Sequence, residues 1–244
     1  MLADYRSSFE KHIRSLSAFG HRGSATKNEH RAAGYLCQQL QQLGLEPQRQ
    51  PFAGGRSLGA RIWVHLALAT FGAACIIVLP IASIAFTAVA LVSLWIEHTR
   101  CVAWLSKPLV RHPSANIVTT LPAQALRKRV VLFAHYDTQR SGFIWFIFAY
   151  LGPLFWWVPA FFKPPLMSIV FLMLGQIALA TWEVAWGLGP WLSLAYWLTL
   201  GIYAFVLFMI GQWAIGRYVQ GAGDNATGVA GVFTICQQWQ QSPV

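Results

Sequence analysis

Acidic side chains are scarce in this 244-residue chain, which has 8 Asp and Glu residues against 18 Lys and Arg. Charged residues of both signs make up 11% of the sequence, whereas ordinary soluble domains carry about 25%. Hydrophobic residues make up 56%, which excludes a disordered chain. Because so little charge is left to face water, we expect lipid to be part of the solvent of this protein.

Closely spaced cysteines are also lacking. The four cysteines are Cys37, Cys75, Cys101 and Cys236, and no two of them form a Cys-x-x-Cys pair. A thiolate zinc site usually needs such a pair, and a disulfide framework needs cysteines at regular, closely spaced positions in a short secreted chain. The sequence therefore predicts neither kind of site.

Two long apolar blocks divide the chain. Residues 62–96 contain no formal charge and are interrupted by Pro80, which predicts a hairpin of two membrane helices. In residues 143–215 only Lys163 and Glu183 are charged. Pro and Gly residues divide this second block into segments near 143–162, 166–186 and 191–215.

The first segment of the second block is predicted to be interfacial or re-entrant rather than spanning. It contains Pro153 and Pro159 together with several tryptophans, a pattern typical of the headgroup region. The polar residues on both sides of the block can share one domain only if the chain crosses the bilayer an even number of times. We therefore expect two spanning helices in residues 143–215.

The remaining residues are predicted to form one interrupted domain with an α/β fold. Apolar residues recur at helical spacing in residues 27–44 and 225–240, and extended pieces are expected near 47–52, 116–121 and 130–134. Alternation of helix and strand favours a mixed sheet covered by helices. The predicted pieces of this domain are residues 1–61, 97–142 and 216–244.

Basic residues predict the orientation. Lys163 is the only one of the 18 Lys and Arg residues that lies within the apolar blocks. Because basic loops stay on the cytoplasmic side, the polar domain is predicted to face the cytoplasm, at a bacterial inner membrane. The start of the chain shows no signal-peptide pattern, which agrees with this orientation. The formal charge of +10 favours anionic lipid, not nucleic acid, as a partner.

Two short strings contain candidate catalytic residues. Residues 129–138 read Arg-Val-Val-Leu-Phe-Ala-His-Tyr-Asp-Thr, a predicted strand followed by His135 and Asp137. Ligands bind at the carboxyl ends of strands in open α/β sheets, so this string would place an imidazole at a site. Residues 221–228 read Gly-Ala-Gly-Asp-Asn-Ala-Thr-Gly, which places Asp224 just before a helix. Singly, each string is more typical of ordinary turns and polar structure than of a metal site.

Together and in this order, the strings resemble those of the family-28 zinc metallopeptidases of clan MH, which are mostly aminopeptidases with some carboxypeptidases. Three parts carry the resemblance: the predicted helix that follows Gly23-Ser24, the Asn-Ile-Val of 116–118 followed by Ala-His-Tyr-Asp at 134–137, and residues 221–228, where Thr227 replaces the usual Ser. The resemblance covers most of the polar residues and none of the apolar blocks. It implies a zinc exopeptidase-like (phosphorylase/hydrolase-like) α/β fold interrupted by membrane helices.

The same resemblance implies an activity and three residue roles. The protein would be an aminopeptidase-like enzyme that hydrolyses terminal bonds of peptide substrates with water activated by two zinc ions. His135 would be a ligand of one zinc and Asp224 would bridge both. Asp137 would be the catalytic-site residue that orients the imidazole of His135.

The chain departs from the family pattern after Asp224. The family has there a Glu-Glu pair, an Asp and a His, whereas the residues after Asp224 in this chain include no acidic residue and no histidine. We therefore expect the amino-terminal part of a longer peptidase, with a fold incomplete at its C-terminus. The alternative is a catalytically inactive membrane scaffold of the same fold.

A third hypothesis is an intramembrane aspartyl protease of the Gly-x-Gly-Asp type. Tyr136-Asp137 and the Gly-Ala-Gly-Asp of residues 221–224 imitate the two motifs of such enzymes. However, the apolar run before His135 is confined to residues 130–134 and follows three basic residues, so it is too short to cross a membrane. This hypothesis is the least favoured of the three.

Overall fold

The computed structural model describes residues 2–121, 130–151, 165–187 and 189–241. Within these residues the chain is mostly helical, with eight α-helices and one two-stranded sheet. The chain divides into two units. The polar unit is formed by Met1–Arg56, Arg111–Arg140 and Arg217–Val244, and the apolar unit by Ser57–Val110 and Ser141–Gly216.

Helices α1 (Leu2–Ser17), α2 (Lys27–Gln42) and α8 (Thr227–Gln241) form the body of the polar unit, together with β1 (Gln48–Gly55) and most of β2 (Val110–Val118). Apolar residues at helical spacing on the three helices bury one common core. Its buried members are Leu16, Ala32, Leu36, Leu40, Leu45, Ala226, Val229 and Phe233.

Local sequence signals explain both ends of α2. The Thr26 side chain accepts a hydrogen bond from the backbone amide of Glu29, and the Glu29 carboxylate accepts one from the amide of Ala25 at 2.9 Å. This reciprocal pattern satisfies amides that the first turn of a helix leaves unpaired. Beyond the last turn, Gly44 adopts the left-handed conformation, with φ of +72°, which ends the helix without strain.

The sheet is smaller than the sequence predicts. Strands β1 and β2 lie near the extended pieces expected at 47–52 and 116–121, whereas residues 130–134 form no strand. A strand needs a neighbour that pairs with its backbone groups, and the described residues supply no third strand beside this run. Phe133 is accordingly 90% exposed. The observed architecture is therefore mostly helical with a two-stranded sheet, and the larger mixed sheet of the predicted α/β fold is not found among the described residues.

The apolar unit consists of helices, and the protein has the features of a membrane protein. By length and composition three helices can cross a membrane, within α4 (Pro80–Arg100), α6 (Pro165–Trp186) and α7 (Pro190–Ile215). Helix α3 (Leu58–Ala74) is also apolar, but its 17 residues extend about 26 Å, less than the roughly 30 Å of a hydrocarbon core. Pro80, Pro165 and Pro190, which interrupt the apolar blocks, each stand at the start of a helix, where proline is favoured.

Helix α5 (Phe143–Leu151) occupies the start of the segment predicted to be interfacial or re-entrant. The rest of that segment, with Pro153 and Pro159, lies outside the described residues. Polar side chains link the helices of the apolar unit: the Gln176 amide of α6 donates to the Thr87 hydroxyl of α4 at 2.6 Å, and Arg61 of α3 pairs with Glu97 of α4 at 2.6 Å. Hydrogen bonds of this kind help to fix helix register in lipid.

Candidate metal centre

The structure brings His135, Asp137 and Asp224 together. The Nε2 atom of His135 lies 3.1 Å from Oδ1 of Asp224, and its Nδ1 atom lies 3.3 Å from Oδ1 of Asp137. The three side chains are 54%, 40% and 61% exposed in that order, so the site is open to solvent. Asp137, from the same motif as His135, therefore lies beside one ring nitrogen. Asp224, from a motif distant in the sequence, lies beside the other.

Hydrogen bonds to two neighbouring chain segments hold the residues that follow Asp137. The amide of Thr138 donates to the carbonyl of Arg22 at 3.1 Å, and the amide of Arg22 donates to the Thr138 hydroxyl at 2.9 Å. On the other side, the amide of Val219 donates to the carbonyl of Gln139 at 3.0 Å. Residues 138–140 are thus fixed between the segment before α2 and the segment before α8.

An irregular turn at Ala222–Ala226 presents Asp224 in front of α8. Asp224 and Asn225 depart from helical geometry, and the peptide bond between them is cis. The side chain of Asn225 then accepts a hydrogen bond from the amide of Gly228 at 3.0 Å, which caps α8. Gly221 has φ of +66°, and a Cβ there would lie 2.6 Å from the Asp224 carbonyl oxygen, so this turn requires glycine.

Arg22 joins the two motif segments and was missed by sequence reasoning. Its side chain is fully buried, and its guanidinium donates to four backbone carbonyls at 2.8–3.0 Å. Burial lowers the pKa of Arg22, and the nearby carboxylate of Asp137 acts in the opposite direction. Tyr136 stands between His135 and Asp137 in the sequence, so the bond to its carbonyl fixes the first motif. The bond to Gly221 fixes the start of the turn that carries Asp224. The four acceptors are the carbonyls of Leu16, Tyr136, Gln220 and Gly221.

The donor set fits part of a zinc site. Bonds of about 2.1 Å from a tetrahedral zinc ion to an imidazole nitrogen and a carboxylate oxygen separate the two ligand atoms by about 3.4 Å, close to the 3.1 Å between His135 and Asp224. On the other side of the ring, Nδ1 lies 3.2 Å from the backbone carbonyl oxygen of Asp137 and 3.3 Å from its carboxylate, and an acceptor at Nδ1 favours the tautomer whose Nε2 can bind metal. Among the described residues no three His, Cys, Asp or Glu side chains converge on one point, because Asp137 lies behind the ring. The described residues therefore offer two candidate ligand atoms.

Glu29 is a second buried charge that sequence reasoning did not assign to the site region. It is 3% exposed and accepts a hydrogen bond from the Ser114 hydroxyl of β2 at 2.6 Å. Burial raises the pKa of Glu29, and the hydrogen bonds from Ser114 and the amide of Ala25 oppose this shift in part. Through these bonds Glu29 ties the start of α2, next to Arg22, to the sheet.

The raised pKa of Glu29 predicts a pH dependence of stability. The protonated form of Glu29 is favoured more in the folded than in the unfolded protein, so protonation of Glu29 stabilises the fold. This contribution to stability is complete below the unfolded-state pKa of about 4.3 and is lost as the pH rises through the folded-state pKa. We expect the melting temperature of the wild type, relative to Glu29→Gln, to fall as the pH rises above about 4. Circular dichroism measures both proteins, and a difference that stays constant or grows with pH would contradict the expectation.

Comparison of the chain with family models, with characterised proteins and with solved structures finds no match. The likeness to the zinc metallopeptidases therefore depends on the short motifs themselves. The geometry around His135 is the structural observation that bears on it.

Proposed function

We propose that this protein is a membrane-bound, zinc-dependent exopeptidase of the aminopeptidase type, with His135 and Asp224 as ligands of one zinc ion. One observation carries the proposal: His135 Nε2 and Asp224 Oδ1 lie 3.1 Å apart although the apolar residues 143–215 separate them in the sequence. The substrate class is peptides with a free terminus.

Each residue of the centre has a distinct task in this proposal. Asp137 holds the proton of His135 on Nδ1, which directs the lone pair of Nε2 toward Asp224. The second carboxylate oxygen of Asp224, Oδ2, lies 3.5 Å from the side-chain amide nitrogen of Gln139. This oxygen would be available to a second ion. A bound zinc ion would supply an activated water and polarise the scissile carbonyl. The general base and the remaining ligands are not among the described residues around His135.

The arrangement favours this chemistry over that of an aspartyl protease. Aspartyl proteases need two carboxylates that share one proton in direct contact. In this protein, Asp137 and Asp224 contact opposite nitrogens of His135, so the imidazole separates them. Both side chains also belong to the polar unit rather than to a membrane helix.

The location that we propose is a bacterial inner membrane with the polar unit on the cytoplasmic side. Arg56, Arg140 and Arg217 lie next to the starts or ends of apolar helices, as basic residues do on the cytoplasmic side of membrane proteins. Anionic lipid is the partner that such residues favour.

Hydrolysis of aminoacyl anilides tests the proposed activity. The product of the complete reading frame, purified in detergent, is expected to release the amino acid, to lose this activity with a metal chelator and to regain it with added zinc. Hydrolysis that persists in the chelator would instead indicate aspartyl protease chemistry. Absence of both hydrolysis and bound zinc would indicate the inactive scaffold.

A further inference from the structure

A basic cleft of about 370 Å³ lies in the polar unit, apart from the candidate metal centre. Four of its lining residues are His21, Lys27, Arg56 and Arg140. None of the lining residues that the structure describes is acidic, and none belongs to the metal centre. A concave surface with only positive charge attracts anions more strongly than the same charges spread over a convex surface.

Within the described residues, two cations of this cleft lack a carboxylate partner. In the described parts of the chain, neither Lys27 nor Arg56 forms an ion pair. The guanidinium of Arg56 is held at one end, because Nε donates to the carbonyl of Ala25 at 3.3 Å. An arginine fixed in this way presents its two terminal nitrogens as a fork, which suits the oxygens of a phosphate group.

Tyr218 contacts three of the other residues that line the cleft. The His21 ring stacks on it with a centroid distance of 4.8 Å, and the Arg140 guanidinium lies 4.2 Å from its ring centroid. The Tyr218 hydroxyl donates to the carbonyl of Arg56 at 2.8 Å and accepts a hydrogen bond from Arg140 at 3.1 Å. Tyr218 thus fixes His21, Arg56 and Arg140 relative to each other, so little ordering would be needed when an anion binds.

Residues at the start of α2 also line the cleft. Thr26, the N-cap residue, and Lys27 and Asn28 of the first turn all line it. Amides at a helix start carry partial positive charge, which adds to the charge of the side chains.

Three lining residues are also close in sequence to apolar helices. Arg56 comes just before α3, Arg140 just before α5 and Tyr218 just after α7, which is long and apolar enough to cross a membrane. Basic residues this close in sequence to membrane helices are common contacts of anionic lipid headgroups.

We propose that this cleft binds a phosphate group, supplied either by an anionic lipid headgroup or by a free phosphate ion. Three cationic side chains, the Tyr218 residue that contacts two of these residues, and the start of α2 all point to one anion of this kind. The metal centre takes no part, so phosphate binding does not depend on the proposed peptidase activity.

Two probes test the cleft and separate the two sources. Native mass spectrometry of the detergent-solubilised protein measures retention of phosphatidylglycerol against phosphatidylcholine, and calorimetry measures binding of inorganic phosphate. Lys27→Gln and Arg56→Gln are each expected to weaken binding about tenfold, as for loss of one charge-assisted hydrogen bond. Lys11→Gln removes the same charge from an exposed position of the polar unit outside this cleft and is expected to change binding less than about twofold.

Each outcome decides the proposal. Retention of phosphatidylglycerol that Lys27→Gln and Arg56→Gln weaken supports a lipid headgroup, and the same pattern with inorganic phosphate alone supports a free anion. The proposal is overturned if neither probe binds, or if Lys11→Gln weakens binding as much as the other two substitutions do. Lys27 and Arg56 are exposed, so both variants are expected to keep the melting temperature of the wild type.

Discussion

Asp224→Asn is expected to lower the zinc affinity of the protein about a hundredfold or more and to abolish hydrolysis that depends on zinc. A structural zinc site gains about 10–16 kcal/mol from roughly four ligands, so loss of one anionic ligand accounts for such a factor. The amide of asparagine keeps the size of the side chain and removes its charge. Calorimetric titration with zinc measures the change.

Two further substitutions make this test specific. Asp137→Asn removes the carboxylate charge beside His135 Nδ1 but leaves the Asp137 backbone carbonyl in place and removes no ligand, so a smaller loss of about tenfold in zinc affinity is expected. Glu10→Gln removes an equal charge from an exposed position on α1 and is expected to leave zinc affinity unchanged. Equal zinc affinity for Asp224→Asn and the wild type would show that Asp224 is not a ligand.

Arg22→Ala is expected to prevent stable folding of the polar unit. Four backbone carbonyl groups, one buried and three part-buried, would lose their donors, at about 1–3 kcal/mol for the buried group and less for those that water can reach. The total is a large fraction of the stability of a typical domain, about 5–15 kcal/mol. Limited proteolysis and circular dichroism report the loss of the fold. Arg14→Ala, on an exposed arginine of α1, is the matched control and should change stability little.

Arg22→Lys separates the positive charge from the shape of the guanidinium. Lysine keeps the charge but cannot reach carbonyls on three chain segments with one planar fork. We therefore expect a folded but less stable protein whose zinc affinity falls, because the segments that carry His135 and Asp224 are no longer held together. Zinc affinity equal to that of the wild type in this variant would limit Arg22 to a structural role.

Helices were more predictable from the sequence than strands. The apolar spacing of residues 27–44 predicts α2, and the capping residues Thr26 and Glu29 and the glycine after its end are local signals that do not depend on the rest of the fold. Pro80 and Pro190 likewise stand in the first turn of α4 and α7. The apolar run at 130–134 shows the opposite case, since a strand depends on a distant partner that its own residues do not encode.

The candidate site was also only partly predictable from the sequence. The motif residues His135, Asp137 and Asp224 can be picked out because their short strings have a distinctive order, and the structure places them in contact. Arg22 could not be assigned a task in this way. Its contacts are all with backbone carbonyls, which any residue provides, so no side-chain pattern marks them. The only signal was its position directly before the Gly23-Ser24 pair that carries part of the resemblance.

X-ray absorption at the zinc edge of the zinc-loaded protein tests the central claim most directly. We expect a first shell of nitrogen and oxygen at about 2.0–2.1 Å with the outer signals of one or more imidazoles, and loss of one imidazole in His135→Ala. Zinc that fails to bind, or a shell of sulfur at about 2.3 Å from the free cysteines, would contradict a metal centre formed by His135 and Asp224.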